Sequence, residues 1–422
     1  MSTSWFSLRN RRCPTPWVWL LLLVLACQAQ GQEPPRSLRQ TLDEVLNQHP
    51  SLKAAQHRLA GSLAWARGAG ALPNPQLRLS LPAGDPSEEA NSLVQRLEIG
   101  GQPGLRSKIA ELQAQQADAR LAKLQRELGI QTAEAYHGLW SARETERLYK
   151  IRLDLAQKLH SAAERRLKAG EISQAEYLRA QLESDQAAAQ FARARGQHKV
   201  ALNHLNSLLQ RPGEQELNMP LGTVDERPPI EPSREQLLLS IDSRPEVRVA
   251  ELTAQIEHLE ADLVARQRVP DMEFEAYRSN LGYRAEQGLR LSLVFPLWDW
   301  GQIGAASEKR YQEALAAESD LLALRQSTER ELLAAWNQFM AEREQREALQ
   351  RQSRGFQTQA DLARRGYEAG VLSLLEVLEA QRAYREAMLE YVAAEAAFQK
   401  RRWEIYWLAG GTFARKSPEE QP

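Results

Sequence analysis

Cysteine is nearly absent: the 422 residues contain two, Cys13 and Cys27, both close to the N-terminus. Beyond them the chain has no means of forming a disulfide framework, a thiol nucleophile or a thiolate metal site. Net charge is lacking too, since 54 Lys and Arg stand against 55 Asp and Glu. That balance excludes the basic footprint of a nucleic-acid binder. The seven histidines, His49, His57, His137, His160, His198, His204 and His258, are scattered, with none at i,i+3 or i,i+4 from another. No metal site, no cofactor and no catalytic constellation are expected from such a set. Proline is missing from two long stretches, 105–169 and 305–369. Downstream of the N-terminal segment there is no apolar run long enough for a membrane helix.

What the N-terminus does hold is an export address. Arg9, Arg11 and Arg12 precede the apolar "WVWLLLLVLA" of Trp17–Ala26, so residues 1–26 read as a signal peptide. Val24-Leu25-Ala26-Cys27 has the form of a lipobox, which would place a lipid on Cys27. Ordinary cleavage after Ala29 or Gly31 is the alternative.

Two turns recur far apart. "KAGEISQAEYLRAQ" (Lys168–Gln181) and "EAGVLSLLEVLEAQ" (Glu368–Gln381) place Gly170 and Gly370 200 positions apart. Each glycine suits the left-handed position that ends a helix. Ser173 with Glu176, and Ser373 with Glu376, then spell a capping box that starts another helix. A short loop between two helices lays them antiparallel. The organisation expected is a duplication: a first repeat over 37–210, a Pro-rich connector over 211–232, a second repeat over 233–410, and a tail over 411–422. His49-Pro50 and Arg244-Pro245 mark matching breaks in the opening helices. The helices over 105–169 and 305–369 would each run about 100 Å if continuous; the returning arms, 173–209 and 373–408, are about half as long.

Between opening and long helices lie alternating segments: "QLRLSL" (Gln76–Leu81), "LVQRLEI" (Leu93–Ile99), "MEFEAY" (Met272–Tyr277) and "LRLSLVF" (Leu289–Phe295). Their period of two, apolar on one side, predicts four strands. Four strands cannot close a membrane barrel, which needs about eight, and open edges cannot face lipid. Strands from several copies must therefore combine, and three copies supply twelve. "GGQPG" (Gly100–Gly104) lacks the Lys-Ser/Thr of a phosphate loop and reads as a strand-to-helix bend.

With the signal peptide, the duplicated plan, "PLWDWGQIG" (Pro296–Gly304) and the paired A-G-x-x-S-x-x-E turns, the chain resembles the TolC family of outer-membrane efflux channels over essentially its whole mature length. "LEIGGQPGLR" (Leu97–Arg106) and the modest length resemble its CzcC-like, cobalt–zinc–cadmium branch. The resemblance implies a mainly α fold with β: a homotrimeric 12-stranded β-barrel in outer-membrane lipid, continued by an α-helical barrel in the periplasm. It implies export of solutes, heavy-metal cations among them, received from a periplasmic membrane-fusion adaptor and an inner-membrane efflux pump. By the same resemblance, Glu376 and Glu379 form the pore constriction and Tyr367 with Glu176 a tip latch. Ala169, Gly170, Glu171, Ile172, Ser173, Ala369, Gly370, Val371, Leu372 and Ser373 meet the adaptor. Leu372 replaces the family's arginine, so one polar lock is missing. For Glu376 a capping role suffices without a pore; Glu379 has no capping duty. Trp298 and Trp300 suit either an interfacial aromatic belt or packing at the strand–helix junction, whereas Trp403, Tyr406 and Trp407 read as core. A periplasmic coiled-coil adaptor or scaffold is the alternative function, but it would not need four amphipathic strands.

Overall fold

The computed structural model describes residues 35–79, 88–220, 227–281, 284–295, 298–369, 371–372 and 374–411. The first repeat opens with α1 (Leu38–Gln48) and α2 (Pro50–Gly68), separated at the expected proline. Ser37 caps α1 through a complete capping box with Gln40, and Pro50 takes the first turn of α2, where its missing N–H costs nothing. Strands β1 (Gln76–Leu79) and β2 (Glu88–Leu97) lead into α3 (Gln102–Lys168), and α4 (Gln174–Leu208) returns along its far half. The second repeat runs α5 (Arg234–Leu239), α6 (Pro245–Ala265), β3 (Asp271–Leu281), β4 (Arg284–Val294), α7 (Gln302–Glu368) and α8 (Leu374–Leu408). Ser233 caps α5 with Gln236, in the same manner as Ser37 with Gln40.

The long helices α3 and α7 are each 67 residues and lie 200 positions apart, as do the 35-residue α4 and α8. α3 and α7 each begin about a turn earlier than expected. The reason is visible at the start of α7, where Asp299 Oδ1 accepts from Gly301 N at 3.0 Å and Oδ2 from Ile303 N at 3.1 Å. At α3 Pro103 lies in the first turn, behind Gly101 at φ 80°.

The four strands form one antiparallel sheet in the order β1-β2-β3-β4. β2 and β3 come from different repeats, so the sheet itself joins the two halves. Leu97 lies opposite Met272 and Met272 opposite Leu293; two residues along, Phe274 faces Leu291, and two further on Leu77, Leu93, Ala276 and Leu289 share a row. Those rows form an exposed apolar face, with Leu77, Leu289 and Leu291 each more than 60% exposed. The other face is polar: Arg290 bonds Glu275 at 3.0 Å and lies 5.0 Å above the Tyr277 ring, and Arg96 pairs with Asp271 across the join. β2, β3 and β4 are longer than the alternating segments had indicated, because beyond the row of Asn91, Arg278 and Gln287 the apolar face turns polar while the ladder continues. Positions 80 and 81 of the first expected strand lie outside the described residues.

The core sits at mid-height. Leu38, Leu42 and Leu52 meet Leu128, Tyr136, Leu139 and Trp140 of α3, together with Trp403, Tyr406 and Trp407 of α8. Contact is close enough that a Cβ at Gly129 would lie 2.5 Å from the Trp407 ring. Burying such aromatics contributes several kcal/mol. The expected core assignment of those three C-terminal aromatics is thus met. Among the described residues no helix is long and apolar enough to cross a membrane.

Candidate functional site

The far ends of the helix pairs are built by backbone chemistry. α3 stops because Gly170, at φ 75°, turns the chain left-handed. Gly170 N then donates to Leu167 O at 2.9 Å and Glu171 N to Arg166 O at 2.9 Å, satisfying carbonyls that the helix end would leave bare. α4 starts with Ser173 N donating to Glu176 Oε2 at 2.8 Å and Glu176 N donating to Ser173 Oγ at 3.3 Å. In the second repeat Val371 N donates to Gly366 O at 2.8 Å, the same 6→1 closure. Gly370, Ser373 and the Tyr367 side chain lie outside the described residues, as does Cys27.

The tips differ in side chains. The first is polar: Lys168 Nζ donates to Glu164 at 2.8 Å, and Arg166 lies 3.8 Å from Glu171. In the second, Leu372 folds back over Gly366 and packs with Ala360, Ala363, Ala380, Val377 and Tyr384. Leu372 is therefore an apolar plug beneath the turn, and Val371 stands 78% exposed at its apex. The carboxylate of Glu176 is committed to the Ser173 N–H and hydroxyl.

Glu376 and Glu379 are both exposed, one turn apart on one face of α8. The same stripe continues through Arg382, Glu386 and Glu390, with Arg382 Nε donating to Glu386 at 3.0 Å. The sequence reading stopped at the first two carboxylates, although the i,i+3,i+7 spacing of the others was open to view. Shifted by 200 positions, the stripe becomes Glu176, Arg179, Leu182, Gln186 and Gln190 on α4. The acidic line belongs to one repeat only.

Other polar features are structural. At mid-height a cavity of about 670 Å³ is lined in part by Asp43, Arg126, Ser243 and Arg244. Glu246 holds the lining residues Arg126 at 2.7 Å and Arg244 at 2.7 Å, pinning the start of α6 to α3. His137 of α3 is fully buried, and burial, helped by the charge of Lys400, pushes its pKa down to about 3. The sequence carried no sign of that burial. At the sheet end Trp298 and Trp300 stand 79% and 90% exposed, so in this chain they do not pack at the junction. Among the described residues no group of three or more His, Cys, Asp or Glu is placed to hold a metal ion.

Comparison with known proteins gives a consistent picture. A family model described as outer membrane efflux protein matches residues 41–210 and 238–411. The cobalt-zinc-cadmium resistance protein CzcC of Cupriavidus metallidurans is 27% identical over 365 residues, 85% of this chain and 86% of that protein. The open-state MtrE outer membrane channel of Neisseria gonorrhoeae superposes with a TM-score of 0.73 at 18% identity, covering 89% of each chain. The CmeC outer membrane channel of Campylobacter jejuni gives 0.72 at 15% identity over 90% of this chain and 87% of its own.

Proposed function

The chain belongs to the outer membrane efflux protein family, and from that premise we propose that three copies assemble into one channel that receives solutes at its helical tips and releases them outside the cell. It is an outer-membrane efflux channel subunit of mainly helical fold. The observation that supports the assembly is the sheet. Among the described residues it has one exposed apolar face, two edges without a partner strand (β1 and β4), and four strands where a closed membrane barrel needs at least eight. Twelve strands from three chains close the barrel, and the α3/α4 and α7/α8 pairs continue it as a helical tube in the periplasm. The channel has no catalytic role in this reading; it is a duct.

At the far end, residues 169–173 and 369–373 are the surface offered to a periplasmic adaptor linked to an inner-membrane pump. Glu376 and Glu379 line the entrance, where six carboxylates would favour cations. Tyr367 and Glu176 remain the proposed latch, with the packing of Leu372 taking over part of the closure. Cys27 is the proposed lipid site, tested by loss of palmitate labelling in Cys27→Ser. The cargo we propose is a heavy-metal cation, supported by the acidic stripe and by the likeness to CzcC. A deletion strain should lose resistance to cobalt, zinc or cadmium and regain it with the intact gene; unchanged tolerance to all three would point to another cargo.

The assembly is tested at the sheet. Leu291→Asp with Leu293→Asp places charge on the lipid face, at a cost below the ~2–4 kcal/mol that a basic residue carries at a central site. The variant should be exported yet form no outer-membrane trimers. Trimers at wild-type level would refute the facing of the sheet.

A further inference from the structure

Among the described residues only two besides glycines hold a left-handed backbone, Gln210 at φ 57° and Trp300 at φ 51°. That conformation is costly for an L-residue and persists only where something offsets it. For Gln210 the offset is visible, since its backbone N–H and its Nε2 both donate to Ser207 O at the end of α4. For Trp300 it is not. The indole stands 90% exposed and makes no hydrogen bond or ring contact among the described residues. Nor does the plan of the fold demand the strain. In the first repeat the chain enters α3 with Gly101 alone left-handed, and Gly100, the counterpart of Trp300 200 positions earlier, is not.

A second departure from the repeat lies beside the first. Asp271 opens β3 opposite Val294 at the close of β4, so the turn before β3 and the segment after β4 share one end of the sheet. That turn is a short 3-10 helix, Arg266–Arg268. It is fixed from within: Gln102 Nε2 donates to Arg266 O at 3.3 Å, and Val269 N to the same oxygen at 3.0 Å. Arg266 and Arg268 are both exposed, and neither has an ion pair among the described residues. Arg268 rests on the first turn of α7, where a Cβ at Gly304 would lie 2.9 Å from its Nη2. It is close enough to Asp299 for the two charges to interact, but that carboxylate is committed to capping α7. Asp271 and Glu98 are already paired with Arg96 and Arg106. Two arginines against Asp299 leave a surplus of one positive charge. β1 and β3 begin 195 positions apart, at Gln76 and Asp271, and by that offset the first repeat has Ala71 and Pro73 in place of the two arginines. It has Glu98 and Gly100 in place of Trp298 and Trp300.

Resting on the outer-membrane channel described above, we propose that Arg266, Arg268, Trp298 and Trp300 bind the headgroup of an anionic phospholipid in the periplasmic leaflet. The site runs on from the apolar face of the sheet. Leu289, Leu291, Leu293 and Phe295 follow one another at every second position, all exposed, and the two tryptophans come next where that face gives out. An indole suits this depth because its ring is apolar while its N–H needs a polar partner. A guanidinium offers a phosphate two parallel N–H donors. Lipid phosphate is the partner that the arginines lack, and covering the Trp300 ring offsets its left-handed backbone. The surplus positive charge and the continuity with the apolar rows favour lipid over a second copy of the chain as the cover.

Trimers stripped of lipid in detergent, then titrated with phosphatidylglycerol or with phosphatidylethanolamine, test the site by native mass spectrometry. The wild type should retain phosphatidylglycerol roughly fivefold better, the ratio that one surplus charge near a membrane surface supports. Arg266→Gln with Arg268→Gln should bring the two lipids to parity with trimers intact. Trp300→Gly separates headgroup binding from packing. Glycine takes the left-handed conformation freely, so lipid-free trimers of this variant should melt at or above the wild-type temperature while retaining less of either lipid. Equal retention of both lipids by the wild type, or an undiminished preference in the glutamine variant, would overturn the site. Lipid-free Trp300→Gly trimers that melt lower than wild type would show that another copy covers the indole, and would overturn the occupant. Normal trimers that select no headgroup sink this inference alone, whereas a wild type that forms no trimers would sink the channel reading beneath it.

Discussion

The two return helices, α4 and α8, are equal in length and begin after the same kind of turn, yet they present different surfaces. α4 shows Glu176, Arg179, Leu182, Gln186 and Gln190 where α8 shows Glu376, Glu379, Arg382, Glu386 and Glu390. A helical hairpin needs little to be copied: a glycine able to turn left-handed, two backbone bonds to close the end, and a capping box to restart. Everything else on the exposed face is free to diverge. Function is therefore better sought in the positions where the repeats disagree than in those where they match. Glu379 against Arg179 is the sharpest disagreement near the tips.

The largest effect expected is at that position. Glu379→Arg copies the first repeat into the second and changes the charge by two per chain at the proposed entrance. In planar bilayers under a salt gradient, cation preference should fall several-fold or reverse, while Arg179→Glu should strengthen it. A reversal potential unmoved by either change would remove the stripe from the ion path.

Next in size is a contrast between His137, fully buried, and its counterpart Asn337, which is exposed. The folded-state pKa of His137 is depressed to about 3 from an ordinary 6.5. Unfolded chains take up the proton first as pH falls through 6.5, so stability is lost between there and about pH 3. At pH 5 the loss relative to pH 7.5 is about 2 kcal/mol per chain. Denaturant titrations at the two pH values should show this in the wild type and a smaller loss in His137→Leu. An equal pH response in that variant would assign the acid sensitivity to other groups.

Smaller effects separate the two tips. Gly170→Ala forces a Cβ into a left-handed turn at φ 75° and should loosen the first tip by about 1 kcal/mol. Hydrogen exchange should quicken around residues 165–176 and stay unchanged at 365–376. Glu176→Ala should cost roughly 0.5 kcal/mol, at the low end of capping effects, and Glu176→Gln almost nothing, since glutamine also serves a capping box. If the glutamine variant proves as loose as the alanine one, the carboxylate has a duty beyond the cap.

The repeat was legible because its punctuation is chemical and local. Gly170, Ser173, Glu176 and the breaks at Pro50 and Pro245 each act on the backbone within a few residues. Strand limits were less legible, since apolar alternation reports which rows form the apolar face and not where pairing stops; Arg278 and Ser279 remain in the ladder although the apolar pattern has ended. The join of β2 with β3 was out of reach, because no short-range signal encodes a partner some 180 positions away. His137 stayed hidden for a different reason. A lone histidine in a helix reads the same whether α8 covers it or water does.

The mid-height core has a consequence for the order of events in the cell. Leu38 and Leu42 share one cluster with Trp403, Tyr406 and Trp407, some 365 positions later. The first repeat therefore cannot complete its interior until nearly the whole second repeat has been made. An outer-membrane channel benefits from that delay, because its chain stays threadable while it crosses the inner membrane. Gly129 adds a lock, since only a position without Cβ admits the Trp407 ring at 2.5 Å from where that carbon would stand. Nascent chains stopped before Trp403 should remain protease-sensitive throughout both repeats, and extension past Trp407 should confer resistance on both together.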